Sequence, residues 1–337
     1  MKDSQNLPKK NSKSSSNNIG TSSPAPKKRE KKKFSKVHFF DTVVILLLLN
    51  VVAVTICIFY VQRIQSYLLP NFTPEYLKVK SIPLSTDLES INASAEAYVV
   101  FDPDSRTIIA SKNQNLRFSP ASTAKVMTAS IALEHYDLDD YLTVPATIYS
   151  VQGSKMNLVP GEEVSVRDLL YGLMLPSGND AAHTLAYYYP NGVSGFVDEM
   201  NKKASQLKLL NTFFVDPAGY EDGNYTTAGE LARLGAYAME NKTFAKIVST
   251  KSIQVTNKSN THTFYLNNLN QLLYFDDIVG IKTGFTNEAG GVLVTAMRKN
   301  KKLLIVSVLK SQDRFADTKD IVNFIHEKVN YSLPAGN

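Results

Sequence analysis

The sequence contains very little cysteine and histidine, and both shortages narrow the chemistry available to it. Among 337 residues there is a single cysteine, Cys57, which lies inside a long apolar run. The rest of the chain, which has no thiol, forms no disulfides and must be held together by its core alone. The five histidines are scattered, without the spacing of motifs such as H-E-x-x-H. A metal-dependent hydrolase is therefore not expected, and no cofactor is predicted.

Positive charge is also scarce over most of the chain, although the formal net charge is +6. Residues 1–38 carry 11 lysines and arginines against two acidic residues, a net charge of +9, whereas residues 39–337 carry −3. The basic character therefore belongs to a tail and does not indicate a nucleic-acid-binding surface. Because this tail has almost nothing apolar to bury, we expect it to be disordered. The alternative is a contact of its KKREKKK stretch with nucleic acid or acidic lipid.

A run of twenty residues without a charged group, 42–61, follows the tail. At ~1.5 Å per residue, twenty helical residues cross a hydrocarbon core of ~30 Å. A cleaved signal peptide is the rival interpretation, but no small-x-small cleavage site follows the run. We predict a single membrane anchor over residues 39–62, with the N-terminus in the cytoplasm and the remainder exported. Residues 63–95, with three prolines, are expected to form an extracytoplasmic stalk.

The exported part, residues 96–337, alternates between strand-like and helix-like patterns. A hairpin over residues 97–111 precedes several helices, which are followed by apolar strands and a closing helix. The segment 165–189 predicts two helices with a break at Pro176, and threonines are expected to cap the helix near residue 228. This order predicts an α/β (α+β) domain with an antiparallel sheet, helices on its faces and a helical insertion.

Three short motifs in this domain carry candidate chemistry. They are Ser122-Thr123-Ala124-Lys125, Ser177-Gly178-Asn179 and Lys282-Thr283-Gly284. The first lies at a predicted helix start, the second in a break between helices and the third in a strand. Side chains at such positions can converge on one cleft. The Ser-x-x-Lys pattern also occurs at Ser205 and Ser307, but without partner motifs.

The first motif pairs a hydroxyl with an amine. A serine becomes a good nucleophile only when a base takes its proton. Ser122 and Lys125, at i and i+3, share a helix face. Lysine can be that base if burial and a nearby cation, here Lys282, lower its pKa.

The other two motifs supply groups that such a reaction needs. Ser177 could relay a proton to a leaving amine, and Asn179 could hold both Lys125 and the amide of a substrate. Lys282, with the hydroxyl of Thr283, would bind a carboxylate. Gly284 would let a substrate backbone lie against the strand.

Together with the stretches LLYGLMLPSGNDAA, VDPAGYEDGNYTTAGELA and VGIKTGFTNEAGG, these motifs resemble the serine D-Ala-D-Ala carboxypeptidases of peptidase family S11. These are the low-molecular-mass penicillin-binding proteins. The resemblance, which runs from about residue 97 to the C-terminus, implies a β-lactamase/transpeptidase-like fold with a five-stranded antiparallel sheet and a helical subdomain. It also implies a hydrolase that trims the terminal D-Ala from peptidoglycan stem pentapeptides through an acyl-enzyme and binds β-lactams.

By this resemblance Ser122 is the acyl-ester nucleophile and Lys125 its proton acceptor. The backbone N–H groups of Ser122 and Phe285 would form the oxyanion hole, where the loss of one donor typically costs ~3 kcal/mol. Class A β-lactamases deacylate with a glutamate in a Glu-x-x-x-Asn pattern. That pattern has no counterpart between the second and third motifs, and Glu221 lies at the wrong spacing.

Two further functions stay open. The same chemistry could serve transpeptidation, or endopeptidase cleavage of cross-links, because the sequence does not fix the acceptor of the acyl group. A membrane-bound β-lactam sensor would instead acylate once without turnover. Such a sensor usually needs a cytoplasmic signalling module larger than the predicted tail.

Overall fold

The computed structural model describes three segments of the chain, which are residues 36–68, 82–85 and 91–332. They fall into two compact units, residues 1–77 and residues 78–337. The predicted basic tail, apart from its last three residues, lies outside the described segments.

The described part of the first unit is a single helix, α1, Lys36–Leu68. Its stretch Asp41–Ile64 contains an 18-residue window with a mean hydropathy of 2.9 and is long and apolar enough to cross a membrane. The side chains of Asn50 and Thr55 each donate to the backbone carbonyl four residues earlier, so each satisfies one donor within the helix. The predicted anchor, 39–62, lies within this helix.

The second unit contains strands that belong to one main sheet and four two-stranded ribbons. The described strands are β1 Ile82–Ser85, β2 Ala97–Asp102, β3 Thr107–Lys112, β4 Arg117–Phe118, β5 Tyr141–Thr143, β6 Glu163–Ser165, β7 Thr226–Thr227, β8 Ser252–Thr256, β9 Thr263–Asn267, β10 Ile278–Thr286, β11 Gly290–Lys299, β12 Lys302–Ser311 and β13 Val329–Ser332. The main sheet has the order β10-β11-β12-β2-β3, and every neighbouring pair is antiparallel. The predicted five-stranded antiparallel sheet is thereby confirmed.

Four of the seven described helices of this unit begin at a residue whose side chain caps the first turn. The seven are α2 Lys125–His135, α3 Val166–Met174, α4 Asn179–Tyr187, α5 Gly192–Gln206, α6 Ala228–Glu240, α7 Lys242–Ser249 and α8 Arg314–Lys328. The side chains of Ser165, Thr227 and Asp313 accept backbone N–H groups in the first turns of α3, α6 and α8. The predicted threonine cap and the break between α3 and α4 are both confirmed.

The main sheet lies between two helical layers. Helices α6 and α7 pack on one face, and α8 packs on the other against β11 and β12. Successive residues of β2 point to opposite faces, so Ala97 and Val99 join the larger core, and Tyr98 and Val100 join the core beneath α8. Strand β10 forms one edge of the sheet and is therefore free to border a site.

The strand-like run of β8 pairs with β9 as a hairpin separate from the main sheet. One element differs from the sequence prediction. Ala121–Ala124 forms a 3₁₀ turn before α2 instead of its first α-helical turn. Ala121 has a left-handed φ of 46°, so it cannot itself belong to an α-helix.

The segment predicted as a stalk, 63–95, contains β1. This strand pairs with β13, with Ile82 opposite Ser332. Ser94 also contacts α8, since its N–H and hydroxyl donate to the carboxylate of Asp317 at 2.7 and 2.8 Å. Residues 69–81 and 86–90 of the predicted stalk lie outside the described segments.

Candidate active site

Ser122 and Lys125 lie side by side where the 3₁₀ turn meets α2. Lys125 Nζ is 3.0 Å from Ser122 Oγ, so the predicted i, i+3 pair is in hydrogen-bonding contact. Ser122 is half-buried, whereas Lys125 is completely buried. The left-handed conformation of Ala121, just before the serine, costs about 1–2 kcal/mol and is held by the surrounding fold. The pair therefore has the geometry of a nucleophile and its base.

Burial decides the protonation of Lys125. Desolvation lowers its pKa to about 7, against the charges of Asp216 and Asp180, which raise it. An amine with this pKa is partly neutral near pH 7 and can accept a proton. The effect that we expected from Lys282 appears on the other partner, because the charge of Lys125 lowers the pKa of Lys282.

A loop that runs from Asp216 to Gly219 covers the amine of Lys125. Lys125 Nζ donates to Ala218 O at 2.8 Å, and the Asp216 carboxylate accepts the Ala218 N–H at 2.7 Å. Gly219 has a φ of +70°, and a Cβ built on it would lie 2.1 Å from Ala121 O. Only glycine therefore lets this loop approach the serine turn.

Ser177 and Asn179 lie at the break between α3 and α4. Both are buried, and Ser177 has a left-handed φ of 67°. Asn179 Nδ2 donates to Gln152 O at 2.6 Å, and the second contact of Lys125 is with Ala218 instead of the expected Asn179. Among the described residues, Ser177 Oγ and Asn179 Oδ1 have no hydrogen-bond partner. Since an unpaired buried polar group costs about 1–3 kcal/mol, these atoms mark a place for a ligand.

Asp180, which the sequence analysis missed, fixes the surroundings of Asn179. Its buried carboxylate accepts the backbone N–H groups of residues 156–158 at 2.8 to 3.0 Å. The same loop receives the backbone N–H of Asn179, which donates to Ser154 O at 2.7 Å. The available signal was an aspartate directly after Ser-Gly-Asn, in the first turn of a helix.

The third motif lies on β10, at the edge of the main sheet. Lys282 and Thr283 are buried, and Lys282 Nζ donates to the backbone oxygen of Thr283 at 3.1 Å. A Cβ built on Gly284 would lie 3.1 Å from both Ser122 N and Pro120 O. Gly284 therefore lets the strand itself approach the serine turn. This role of the glycine is additional to the predicted one, which was to let a substrate backbone lie against the strand.

Lys282 lies among cations. Burial lowers its pKa well below the ordinary value, and the charges of Lys125 and Arg314 lower it further. Arg314, at the start of α8, has an Nε without a hydrogen-bond partner among the described residues. Sequence analysis missed Arg314 because no motif surrounds it. An anion between Lys282 and Arg314 would relieve both groups.

Phe285 and Glu221 lie at the margin of the site. Phe285 is 61% exposed. Its side chain has no N–H or O–H to donate, so any role in an oxyanion hole belongs to its backbone N–H. Glu221 is exposed in the loop after Gly219, and its N–H donates to the carboxylate of Asp216 at 3.0 Å. Among the described residues, neither of these side chains forms a hydrogen bond with Ser122.

The other two Ser-x-x-Lys pairs do not form comparable sites. The Ser307 hydroxyl is buried and donates to Ala228 O at 2.6 Å, and Lys310 forms an ion pair on the surface. Ser205 is exposed near the end of α5, and Lys208 lies beyond the end of that helix. Neither pair combines an accessible hydroxyl with a buried amine.

Comparison with known proteins agrees with this geometry. The model of the peptidase S11 family, described as D-alanyl-D-alanine carboxypeptidase, matches residues 84–313. The chain belongs to the peptidase S11 family. Its fold is the penicillin-binding-protein fold, since it superposes on the crystal structure of the Streptomyces K15 DD-transpeptidase with a TM-score of 0.66. That match has 33% identity and covers 69% of this chain and 97% of the other.

Two curated S11 relatives show how far the likeness extends. The D-alanyl-D-alanine carboxypeptidase DacF of Bacillus subtilis is 30% identical over 240 residues, which cover 68% of this chain and 61% of DacF. The D-alanyl-D-alanine endopeptidase of Escherichia coli is 31% identical over 271 residues, which cover 78% of this chain and 87% of that protein. The family and fold that the three motifs predicted are thus confirmed.

Proposed function

We propose that this S11 protein is a serine D-alanyl-D-alanine carboxypeptidase acting on peptidoglycan stem pentapeptides. Neutral Lys125 takes the proton of Ser122 Oγ as that oxygen attacks the carbonyl carbon of the penultimate D-Ala. The bond from this carbon to the nitrogen of the terminal D-Ala breaks, and a proton relayed by Ser177 reaches the leaving amine. Water then hydrolyses the ester on Ser122, with Lys125 again accepting a proton.

The observation that carries this proposal is the contact between Lys125 and Ser122. A distance of 3.0 Å joins the amine to the hydroxyl, and burial lowers the pKa of the lysine to about 7. General-base catalysis is most efficient when the pKa of the base lies near the working pH. Removing Ser122 should therefore abolish acylation, and removing Lys125 should slow it strongly.

The developing negative charge needs donors close to the serine. The backbone N–H groups of Ser122 and Phe285 are the candidates, because the absence of a side chain on Gly284 brings β10 next to the serine turn. Each such donor typically lowers the barrier by ~3 kcal/mol. β-Lactams would acylate Ser122 through the same groups.

The free carboxylate of the terminal D-Ala fits the group of cations beside β10. Lys282 and Arg314 lie close enough for the charge of Arg314 to lower the pKa of Lys282, and the Thr283 hydroxyl is adjacent in the chain. A charge-assisted hydrogen bond contributes roughly 1.5–3 kcal/mol. A bound carboxylate would also favour the charged form of Lys282.

Endopeptidase or transpeptidase action is the second candidate function. The Escherichia coli relative is named an endopeptidase, and the superposed Streptomyces K15 protein is named a DD-transpeptidase. All three reactions share an acyl-enzyme on the serine, and they differ in the leaving group and the acceptor.

We further propose that α1 is a single-pass anchor, with the N-terminus in the cytoplasm and the second unit outside the cell membrane. Its apolar stretch Asp41–Ile64 and the net charge of +9 on residues 1–38 support this orientation. Protease added to intact cells should digest the second unit and leave the tail. A mature N-terminus beyond residue 62 would contradict the anchor.

The experiment that tests the activity uses the full-length protein in detergent. A stem pentapeptide is incubated with and without a tetrapeptide acceptor, and a cross-linked dimer is incubated separately. We expect release of free D-Ala from the pentapeptide, with little cross-linked product. A dominant dimer product, or cleavage of the cross-linked dimer alone, would favour the second candidate function.

A further inference from the structure

Ser94, at the end of the predicted stalk, binds the junction of β12 and α8, residues 311–317. The backbone N–H of Ser94 donates to one carboxylate oxygen of Asp317 at 2.7 Å, and its hydroxyl donates to the other at 2.8 Å. The same hydroxyl oxygen accepts the backbone N–H of Gln312 at 3.1 Å. Arg314 lies between Gln312 and Asp317 in the chain. One serine outside the junction therefore holds residues on both sides of the arginine.

The buried carboxylate of Asp317 is satisfied within this junction and does not neutralise Arg314. It also accepts a hydrogen bond from the hydroxyl of buried Ser311, the last residue of β12. Burial lowers the pKa of Arg314 and the charge of Asp313 opposes this, whereas Asp317 is not among the groups that shift it. Since a buried carboxylate without donors is costly, Asp317 depends on the serines that hold it.

The junction lies against the strand that pairs with β10. A Cβ built on Gly291, at the start of β11, would lie 2.8 Å from Ser311 O and 3.2 Å from the Cβ of Arg314. Gly291 is opposite Phe285 of β10 in the main sheet. Arg314 is close enough to Lys282 for its charge to lower the pKa of that lysine. The arginine therefore stays beside Lys282 only if the junction keeps its place.

The segment that contains Ser94 is itself fixed to the main sheet. The backbone N–H of Glu96 donates to Lys310 O at 3.2 Å, and Lys112 Nζ donates to Ala95 O at 2.8 Å. Ala95 is fully buried in the core beneath α8. Because its neighbours are tied to β3 and β12, Ser94 can hold the junction from a fixed position.

We propose that Ser94 is a positioning residue for recognition of the C-terminal carboxylate of the substrate, acting through Asp317 on Arg314. Its hydroxyl and its N–H fix the first turn of α8, and this turn keeps the guanidinium of Arg314 beside Lys282. The inference rests on the carboxylate recognition in the proposed function. It adds that the segment before the catalytic sheet contributes to substrate selection, although Ser94 itself does not contact the substrate.

The test measures how strongly the full-length protein in detergent prefers a free carboxylate. Stem pentapeptide and its C-terminal amide give kcat/KM for release of the terminal residue, and benzylpenicillin and its methyl ester give the rate of acylation of Ser122. We expect Ser94→Ala to lower the acid-to-amide and acid-to-ester ratios by roughly two- to tenfold, because the junction loses the bridge between Gln312 and Asp317. Asp317→Asn, which removes the charged acceptor, should lower both ratios likewise.

Further variants show whether the effect passes through Arg314. Ser105→Ala is the matched control, since the Ser105 hydroxyl donates to the buried carboxylate of Asp102 at 2.9 Å in the turn between β2 and β3. It should keep the wild-type ratios. Arg314→Ala should lower the ratios, and Ser94→Ala added to it should lower them no further, because a residue that acts through the arginine has no effect without it. Thermal unfolding of each variant shows whether it is folded.

The outcomes separate this inference from the proposed function. Wild-type ratios in both Ser94→Ala and Asp317→Asn, an equal fall in Ser105→Ala, or additive falls in the double variant would each overturn the inference. If neither peptide is hydrolysed, the proposed function fails, and the ratio between benzylpenicillin and its ester then decides the inference alone. Equal rates for the acid and its ester in the wild type would also overturn it, because there would be no carboxylate recognition to position.

Discussion

The site buries one lysine on its helical side, Lys125 of α2, and one on its strand side, Lys282 of β10. The charges around these two lysines differ. On the helical side, the charges of Asp216 and Asp180 oppose the desolvation of Lys125, and the pKa stays at about 7. On the strand side, Arg314 and Lys125 add to the desolvation of Lys282, and the pKa falls well below its ordinary value. Carboxylates are thus among the groups that shift the pKa of Lys125. No carboxylate is among the groups that shift the pKa of Lys282.

This difference separates two tasks. An amine with a pKa near 7 can take and return a proton within one reaction cycle. A buried amine without a counter-ion gains most from an anion brought by a ligand. The helical side is thus suited to proton transfer and the strand side to recognition of a carboxylate. Binding of that carboxylate should raise the pKa of Lys282.

The largest effect is expected from Ser122→Ala. Without the hydroxyl there is no acyl-enzyme, so acylation by a fluorescent penicillin should fall by at least about 10⁴-fold. Peptide mapping of the labelled wild type should find Ser122 alone. Ser205→Ala is the matched control and should label normally, and label retained in Ser122→Ala would sink the assignment.

Lys125→Arg tests the helical side of the comparison. Arginine keeps the positive charge but does not deprotonate in proteins, so the base is lost. We expect the acylation rate to fall by about 10²- to 10⁴-fold, which is the usual contribution of a general base. Stopped-flow acylation measures it, with Lys208→Arg as control. A rate within a few-fold of wild type would show that another group takes the proton.

Amidation of the C-terminus of the substrate tests the strand side. Removing the carboxylate should lower kcat/KM by on the order of 10- to 100-fold in the wild type. In Lys282→Ala the acid and the amide should become nearly equal, and the ratio within each variant removes any general loss of rate. The same kcat/KM for both substrates in the wild type would refute carboxylate recognition.

Asp216→Asn should have the smallest effect on rate. Because the charge of Asp216 raises the pKa of Lys125, its removal should move the midpoint of the pH profile of acylation to lower pH. The loop also loses a charged acceptor, at a cost of about 1–3 kcal/mol in stability. Asp222→Asn is the control for both the pH profile and the stability measurement. A midpoint moved to higher pH would contradict the electrostatic account.

Much of the fold could be predicted from local patterns. The hairpin of β2 and β3, the broken helix pair α3 and α4, and the strands β10 to β12 each follow from periodicity and turn residues. The pattern of β8 indicated a strand but not the strand that pairs with it. Its partner β9 is chosen by tertiary packing, which short-range propensity does not encode.

Individual contacts within the site were predictable only where the two groups are close in sequence. The spacing of Ser122 and Lys125 follows from helix geometry. The carbonyl of Ala218, 93 residues from Lys125, reaches it through a loop whose path no pattern indicates. Arg314 comes near Lys282 only because α8 follows β12 back across the sheet, so a sequence without an alignment offers no signal for it.

The pH dependence of Ser122 acylation tests the central claim most directly. Protonated Lys125 cannot accept a proton, so the acylation rate should rise about tenfold per pH unit below pH 7 and level off above it, following the pKa of about 7. The measurement is stopped-flow acylation by a fluorescent penicillin on the full-length protein, with peptide mapping to confirm the serine. A rate that stays flat from about pH 5 to about pH 9, or that falls as the pH rises through 7, would contradict Lys125 as the base.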